Sequence, residues 1–188
     1  MNQGHLEFLA SPTWNEMLKT DLLPWVDGVG DLGDNVIEIG PGPGLTTDLI
    51  RPRVSSLTAV ELDDDLASAL RSRLAGTNVN VLNVDATKTG LPSGEFSTVL
   101  CFSMLHHMTS PELQDQLFAE VGRLLRPGGM FVGVDALDFD FMREAHTDDT
   151  FVPVGPDSVA ARFSAAGLSD TVVEPGDYQF RFRATTQP

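Results

Sequence analysis

The spacing of apolar residues along the chain changes several times, and each change predicts a new element. After Ser11-Pro12, a typical helix start, apolar residues recur at helical spacing and predict a helix. Pro24 and the glycines Gly28, Gly30 and Gly33 are expected to end it. From Asn35 onward, short apolar runs that predict strands alternate with stretches of helical spacing. The predicted strands cover 36–39, 57–62, 79–84, 98–102 and 130–136, and the predicted helices between them cover 45–51, 63–74 and 110–125.

The end of the chain has a different order of elements. Residues 157–166 predict a helix that ends at Gly167, and two extended runs follow, over 171–174 and 178–185. Only Pro175-Gly176-Asp177 separates these runs, so they must pair antiparallel, because a parallel crossover needs about a dozen residues or more. In the last run aromatic and polar residues alternate, which predicts one buried and one solvated face. The aromatic residues are Tyr178, Phe180 and Phe182.

Strands that alternate with helices predict a parallel sheet covered on both faces. We therefore predict an α/β fold with a doubly wound, Rossmann-like sheet of seven strands, mostly parallel with a C-terminal antiparallel hairpin. One domain is expected over 1–188, with an N-terminal helical cap over 1–33 and a core over 34–188. Within the core, the aromatic-rich segment 137–156 is expected to form either a lid over a cleft or an ordinary covering helix.

The charge of the chain disfavours nonspecific binding to polyanions, although it leaves room for a local basic patch. Asp and Glu number 27 against 12 Lys and Arg, which gives a formal net charge of −15 at pH 7. A field of this sign repels DNA, RNA and anionic lipid surfaces. Cys101 is the only cysteine, so an internal disulfide and a cysteine-based zinc site are both excluded.

The sequence contains neither the pattern of a signal peptide nor that of a membrane-spanning helix. Its first residues lack the basic and apolar regions of a signal peptide, and no apolar run approaches the roughly 18 residues of a membrane helix. We expect a cytoplasmic protein with no membrane insertion. The few lysines, with abundant Ala, Gly, Asp and Val, are typical of a GC-rich bacterial genome.

A glycine-rich turn carries most of the functional information. Gly40, Gly42 and Gly44 follow the first predicted strand, where ligands bind in open α/β sheets. A dinucleotide-binding turn has a small sixth residue, whereas here the sixth residue from Gly40 is Leu45. Pro41 and Pro43 have no backbone N–H that could donate to a pyrophosphate. A ligand without phosphates is therefore favoured, with a nicotinamide-dependent dehydrogenase and an empty tight turn as the alternatives.

Five segments together resemble a known family. They are Glu38-Ile-Gly-Pro-Gly-Pro-Gly44, Val60-Glu-Leu62, Asn83-Val-Asp-Ala86, Val99–Met108 and Leu125–Val132. In this order and spacing they resemble the motifs of class I S-adenosylmethionine-dependent methyltransferases, of the group that acts on small molecules. One departure is Ser97, because the family often has Asp at this place in its fourth strand. The resemblance implies a single methyltransferase domain with the cofactor S-adenosylmethionine and the product S-adenosylhomocysteine.

The resemblance also implies cofactor-binding roles for the glycine turn. Gly40, Pro41, Gly42 and Gly44 would let the methionine and ribose parts approach the backbone. Glu38 would orient this loop and accept hydrogen bonds near the cofactor's ammonium group.

Further cofactor-binding roles fall after the second, third and fourth strands. Glu61 would accept from both ribose hydroxyls, and Asp85 from the adenine amine, although either could instead be an ordinary helix N-cap. The remaining contacts implied by the resemblance are Leu62 on the adenine face, the Ala86 backbone near the adenine, and Phe102 and Ser103 at the methionine end.

Two histidines are the candidates for catalysis. His106 and His107 follow the fourth strand and are expected to face the pocket, where one could act as a base if the acceptor is a hydroxyl. The alternative is that this pair is a family feature without a catalytic role. No metal site is expected, because the fourth-strand segment has no Asp or Glu, and the acids that follow the fifth strand are interpreted as surface residues: Asp135, Asp138 and Asp140.

The expected activity is metal-independent methyl transfer from S-adenosylmethionine to a small-molecule acceptor, such as a metabolite or a lipid or sugar head group. A non-catalytic S-adenosylmethionine-binding protein is the alternative from another class, and an NAD(P)-dependent dehydrogenase is the less favoured enzyme. The expected partner is the acceptor alone, without nucleic acid, and the chain is expected to be a monomer or a homodimer.

Overall fold

The computed structural model describes residues 3–188, so the first two residues of the predicted domain lie outside the described residues. The helices are α1 (Gln3–Leu9), α2 (Pro12–Met17), α3 (Leu23–Val29), α4 (Leu45–Ile50), α5 (Asp64–Arg73), α6 (Pro111–Leu124), α7 (Asp140–Ala145) and α8 (Pro156–Ala165). The strands are β1 (Asn35–Ile39), β2 (Ser56–Val60), β3 (Val79–Leu82), β4 (Phe96–Phe102), β5 (Leu125–Ala136), β6 (Leu168–Pro175) and β7 (Gln179–Thr186). A π-helical turn, Leu18–Leu22, joins α2 to α3, and 3₁₀ turns cover Arg51–Arg53 and Leu105–His107.

The seven strands form one sheet in the order β3-β2-β1-β4-β5-β7-β6. Neighbours from β3 to β5 pair parallel, and β7 pairs antiparallel with both β5 and β6. The predicted α/β fold, with a doubly wound sheet and a C-terminal antiparallel hairpin, is confirmed. The strand order reverses at β1, so the carboxyl ends of β1 and β4 border the crevice in which such sheets bind ligands.

Apolar side chains cover both faces of the sheet, as a largely parallel sheet requires. On one face, Phe118 of α6 and Phe163 of α8 pack with Phe131 of β5 and are completely buried. On the other face, Leu18 and Val26 pack with residues of β1, β4 and β5. The helical N-terminal segment is therefore part of the core and does not lie apart from it.

The two Ser-Pro helix starts are confirmed by their capping hydrogen bonds. The Ser11 hydroxyl accepts from the backbone N–H of Trp14 at 3.1 Å, and the Ser110 hydroxyl accepts from that of Leu113 at 3.3 Å. Of the residues expected to end the first helical segment, Gly30 follows the last residue of α3, whereas the expectation for Pro24 is wrong. Pro24 lies in the first turn of α3, where a missing N–H costs no helical hydrogen bond, and the helix continues to Val29.

The final hairpin differs from its predicted pattern at one residue. Phe180 and Phe182 are buried as expected, but Tyr178 is 64% exposed because it precedes β7 and contacts the exposed rings of Phe139 and Phe141. The opposite face of β7 is only partly solvated, since Arg181 lies over Trp25.

The segment 137–156 contains α7 and is attached to the core at its C-terminal end. The backbone N–H of Val152 donates to the carbonyl of His106 at 2.7 Å, and Val154 is buried. Whether this segment moves as a lid remains a prediction. None of the described helices is long and apolar enough to cross a membrane.

Candidate functional site

A cavity of about 470 Å³ opens at the carboxyl ends of the central strands. Its wall includes the glycine turn after β1, the segments after β2 and β3, and the turn after β4. The volume lies within the range of small-molecule sites, about 300–1,000 Å³. Of the predicted cofactor-binding residues, nine line this cavity: Gly40, Pro41, Gly42, Glu61, Leu62, Asp85, Ala86, Phe102 and Ser103.

The three glycines of the turn serve different purposes. All three have positive φ, from +55° to +82°, which side chains with a Cβ rarely adopt. A Cβ on Gly40 would lie 2.3 Å from the Met104 side chain, and one on Gly44 would lie 2.3 Å from Leu70. A Cβ on Gly42 would meet no atom within 4 Å, because this residue faces the cavity. Gly42 therefore presents bare backbone to a ligand, whereas Gly44 is required for packing against α5.

Glu38 stabilises the loop from behind instead of lining the cavity. It is 1% exposed, and its carboxylate accepts hydrogen bonds from the hydroxyls of Thr46 and Thr47 at the start of α4, the second at 2.6 Å. Burial raises the pKa of the Glu38 carboxyl above its usual range. The contacts fit the expected role in orienting the loop.

Glu61 links the glycine turn to the end of β2. One of its oxygens accepts from the backbone N–H of Gly42 at 3.0 Å, and the other accepts from that of Asp63 at 3.0 Å. The N-cap of α5 is Asp63, whose side chain accepts from Asp65 and Leu66. The reading of Glu61 as a helix cap is therefore wrong. Each of its oxygens can accept a further hydrogen bond, and Glu61 lines the cavity.

Asp85 closes a local turn at the rim of the cavity. Its Oδ1 accepts from the backbone N–H of Thr87 at 2.8 Å and from the Thr87 hydroxyl at 2.7 Å. None of the described helices begins here, so Asp85 is not a helix N-cap. Nearby, Leu62 is 69% exposed, which places an apolar side chain at the mouth of the cavity.

The end of β4 brings Phe102 and Ser103 to the cavity. Ser103 has φ +52°, an uncommon value for a residue with a Cβ, and its N–H donates to the carbonyl of Val134 at 2.8 Å. Non-glycine residues held in this region concentrate at functional sites. The chain therefore turns sharply into the segment that carries both candidate histidines.

The two histidines occupy different environments. His107 lines the cavity, as expected. The orientation expected for His106 is wrong, because it is 1% exposed and its Nδ1 pairs with Asp135 Oδ1 at 2.8 Å, outside the cavity wall. The expectation that Asp135 is a surface residue is wrong as well. Asp135 lies in β5, an inner strand with both faces covered. Its carboxylate is therefore buried and needs a partner.

The electrostatics of His107 favour its neutral form. Burial, reinforced by His106 and His5, lowers the pKa of His107 to about 3. A protonated imidazole is therefore disfavoured at neutral pH, so His107 is a weak base. Its unprotonated ring nitrogen keeps a lone pair that can accept a hydrogen bond.

The sequence patterns did not reveal α1 or its contribution to the cavity. Leu6 and Leu9 of α1 line the cavity together with Trp14 of α2. The apolar spacing in this short helix covers fewer than three turns, so it gives no clear period. These residues add an apolar wall beyond the polar edge of the sheet.

The charged residues on the cavity wall are all acidic. Among the described residues that line it are four carboxylates and no Lys or Arg: Glu61, Asp63, Asp85 and Asp149. Such a wall favours a cationic ligand and disfavours a phosphate. With the open backbone at Gly42, the cavity fits a phosphate-free cation that also has apolar parts.

Comparisons with known proteins agree with this geometry. Residues 36–129 match the sequence profile of the family described as "Methyltransferase domain". An uncharacterised methyltransferase of Mycobacterium bovis is 28% identical over 117 residues, which are 62% of this chain and 57% of that protein. Ribosomal RNA small subunit methyltransferase A of Desulfitobacterium hafniense is 38% identical over 80 residues, which are 42% of this chain and 29% of that protein.

A solved structure extends the similarity over almost the whole fold. Phosphoethanolamine N-methyltransferase 2 of Haemonchus contortus, in complex with S-adenosyl-L-methionine, is similar with a TM-score of 0.77 at 14% identity. The match covers 93% of this chain and 53% of that chain. At this identity the similarity establishes the fold alone. The matched regions also span little more than half the length of that protein and of the mycobacterial relative.

Proposed function

Because this chain belongs to the methyltransferase-domain family, we propose that it transfers a methyl group from S-adenosylmethionine to a small-molecule acceptor. One observation carries the proposal: the cavity combines bare glycine backbone with four carboxylates and, among its described lining residues, no Lys or Arg. S-adenosylmethionine supplies a methyl group that is already activated on a positively charged sulfur. The protein must therefore bind, align and exclude water, and needs little further chemistry.

The cofactor-binding residues divide by the hydrogen bonds they still have available. Glu61 uses one lone pair of each oxygen on backbone N–H groups and keeps the other for two adjacent hydroxyls of a ribose. The two hydrogen bonds from Thr87 to the Asp85 side chain both use Oδ1, so Oδ2 can accept from an adenine amine. Leu62 and Ala86 supply apolar and backbone contacts at the same end.

The methionine end falls at the glycine turn and the end of β4. Gly40, Pro41 and Gly42 form a loop that Glu38 holds from behind, and Gly44 fixes the start of α4. Phe102 and Ser103 border the cavity at the end of β4. They lie near this loop because β4 pairs parallel with β1.

The acceptor is assigned to the part of the cavity lined by the N-terminal helices. Leu6, Leu9 and Trp14 form an apolar wall, and His107 and Asp149 also reach the cavity. Of the two histidines considered as catalytic, only His107 can contact an acceptor there. His106 is assigned to positioning, since it is buried against Asp135.

A small acceptor is preferred to ribosomal RNA, although one relative carries that substrate in its name. The net charge of −15 opposes the approach of a polyphosphate chain, and the described wall of the cavity adds no basic residue to offset it. A neutral or cationic metabolite meets no such barrier.

Two binding measurements and one activity screen test the proposal. Calorimetric titration should show S-adenosylhomocysteine bound and NAD(P) not bound; the reverse result contradicts the proposal and supports a dehydrogenase. Release of S-adenosylhomocysteine should then be followed with panels of small amines, hydroxyl compounds and thiols, and with 16S ribosomal RNA. Turnover on RNA alone would overturn the acceptor class, and cofactor binding without turnover on any acceptor would support a non-catalytic binding protein.

A further inference from the structure

All four histidines of the chain come together beside the cavity. His5 belongs to α1, His107 to the turn after β4, and His146 follows α7 directly. The ring centroids of these three lie 5.2, 4.8 and 5.1 Å apart, which is nearly an equilateral triangle. His106 packs against His107 with a centroid distance of 4.3 Å.

Ring nitrogens of the three histidines lie close together. One nitrogen from each of His5, His107 and His146 lies within 4.8 Å of the other two. A zinc ion bound tetrahedrally at about 2.0–2.1 Å would bring the nitrogens to about 3.3 Å apart. The remaining approach of up to about 1.5 Å is within reach of small rotations of the three imidazoles.

Two of the three imidazoles have a polar oxygen near their Nδ1 atom. His146 Nδ1 lies 2.7 Å from the carbonyl of Met142, so Nδ1 carries the proton and Nε2 keeps its lone pair. His107 Nδ1 lies 3.9 Å from Asp149 Oδ1, which places a carboxylate behind the second imidazole. A histidine whose second nitrogen faces a carbonyl or carboxylate is the usual arrangement around a bound metal.

Two of these three imidazoles, those of His107 and His146, have an unsatisfied ring nitrogen. Nε2 of His107 and Nε2 of His146 are buried without a hydrogen-bond partner, and His146 is only 4% exposed. A buried polar nitrogen without a partner is unfavourable, and a bound metal ion would compensate for it.

We propose that His5, His107 and His146 bind a divalent zinc ion at the edge of the cavity. Three imidazoles with one open position form a typical tetrahedral zinc site, and imidazole is favoured by zinc over the hard cations. His107 and Asp149 line the cavity, so the open position faces its interior. This proposal departs from the expectation of no metal site, which was argued from the carboxylates; the site proposed here is made of imidazoles that only the fold brings together. Methyl transfer as proposed above needs no metal, so the zinc site and the proposed activity can be tested independently of each other.

Metal binding is measured on the untagged full chain after treatment with a chelator. Calorimetric titration with Zn²⁺ alone should give one ion per chain, and Co²⁺ should give the strong visible absorption of a tetrahedral nitrogen site. These readouts need neither cofactor nor acceptor. S-adenosylhomocysteine binding is measured separately on the zinc-free protein, so that failure of the metal site and failure of the proposed activity are distinguished.

Two conservative variants and one matched control locate the site. His107→Gln and His146→Gln should each weaken Zn²⁺ binding at least about tenfold and remove the tetrahedral Co²⁺ absorption. Asp85→Asn removes a carboxylate from the same cavity, outside the histidine triangle, and should leave Zn²⁺ affinity within about twofold. Circular dichroism verifies that each variant is folded. The proposal is overturned if the folded wild-type protein does not bind Zn²⁺ stoichiometrically. It is also overturned if tetrahedral Co²⁺ absorption survives in a folded variant that carries both His107→Gln and His146→Gln.

Discussion

The Glu61 carboxylate accepts a hydrogen bond from the backbone N–H of Gly42 at 3.0 Å, which joins the end of β2 to the turn after β1. The same carboxylate lines the cavity, so it holds the loop and faces the ligand at once. Glu61→Gln replaces one acceptor oxygen with an NH₂ donor and leaves the size unchanged. We expect affinity for S-adenosylhomocysteine to fall about 10- to 100-fold, as measured by calorimetric titration, because an acceptor for the ribose is lost and a loop contact is disturbed.

The control for Glu61→Gln is Asp177→Asn, which also removes one negative charge but lies in the exposed turn before β7. Equal loss of affinity in both variants would assign the effect to net charge and contradict a specific role of Glu61.

Replacement of Gly42 tests the bare backbone of the loop. Gly42→Ala puts a methyl group into the cavity at a position where no protein atom lies within 4 Å. We expect weaker S-adenosylhomocysteine binding, by about tenfold or more, because the ligand must retreat from the backbone. The free energy of unfolding should fall by about 1–2 kcal/mol, because alanine is disfavoured at the positive φ of this position.

Gly90→Ala is the matched control for this loop. Gly90 has φ +72°, also with no atom within 4 Å of an added Cβ, but does not line the cavity. Thermal or denaturant unfolding should show similar destabilisation in both variants, whereas only Gly42→Ala should lose ligand affinity. Unchanged affinity in folded Gly42→Ala would show that the ligand does not approach this loop.

His107→Ala tests the acceptor end of the cavity. We expect the turnover number to fall roughly 100-fold or more, and affinity for S-adenosylhomocysteine to change less than about twofold, because His107 lies among acceptor-side residues. Methylated product is quantified with the acceptor that the screen identifies. The assignment fails if the folded variant retains wild-type turnover.

Glu120 gives a prediction for the pH dependence of stability. Its carboxylate accepts from both Nε and Nη2 of Arg123 at 2.7 Å and from the hydroxyl of Thr89 at 2.6 Å. The Arg123 hydrogen bonds lower the pKa of Glu120 to about 2. Because the folded pKa lies below its ordinary value of 4.5, this stabilisation is complete above about pH 4.5 and disappears as the pH falls toward about 2.

Glu120→Gln should therefore reduce the free energy of unfolding by about 2–3 kcal/mol at pH 7, and by progressively less at pH 4 and pH 3. Urea unfolding at several pH values measures the difference. The exposed Glu174→Gln serves as the reference, with a small effect at each pH. A deficit in Glu120→Gln that stays constant from pH 7 to pH 3 would contradict the ionic origin of the effect.

Local rules were sufficient to predict most of the fold. Ser11 and Ser110 begin helices because a hydroxyl can accept from an N–H three residues later, and this requires no knowledge of the rest of the chain. The antiparallel hairpin followed from the short turn at 175–177 in the same way. Pro24 was misplaced because the first turn of a new helix and the break of an old one look alike in sequence.

The candidate site was predictable only where its residues share one motif or one sheet edge. The glycine turn, Glu61 and Asp85 lie at the carboxyl ends of neighbouring strands, so topology alone brings them together. His5 and His146 are 141 positions apart and meet only because α1 and the segment after β5 both pack beside the turn after β4. No local pattern contains that information, and the burial of Asp135 depends equally on its place in an inner strand.

The acidic wall of the cavity distinguishes two molecules of nearly identical shape. In the proposed reaction the cofactor would lose one positive charge, whereas the carboxylates of Glu61, Asp63, Asp85 and Asp149 would still line the cavity. By Coulomb's law we expect this wall to attract the charged methyl donor more strongly than the neutral by-product. We therefore expect weak product inhibition, and added salt should narrow the difference between the dissociation constants of the two molecules.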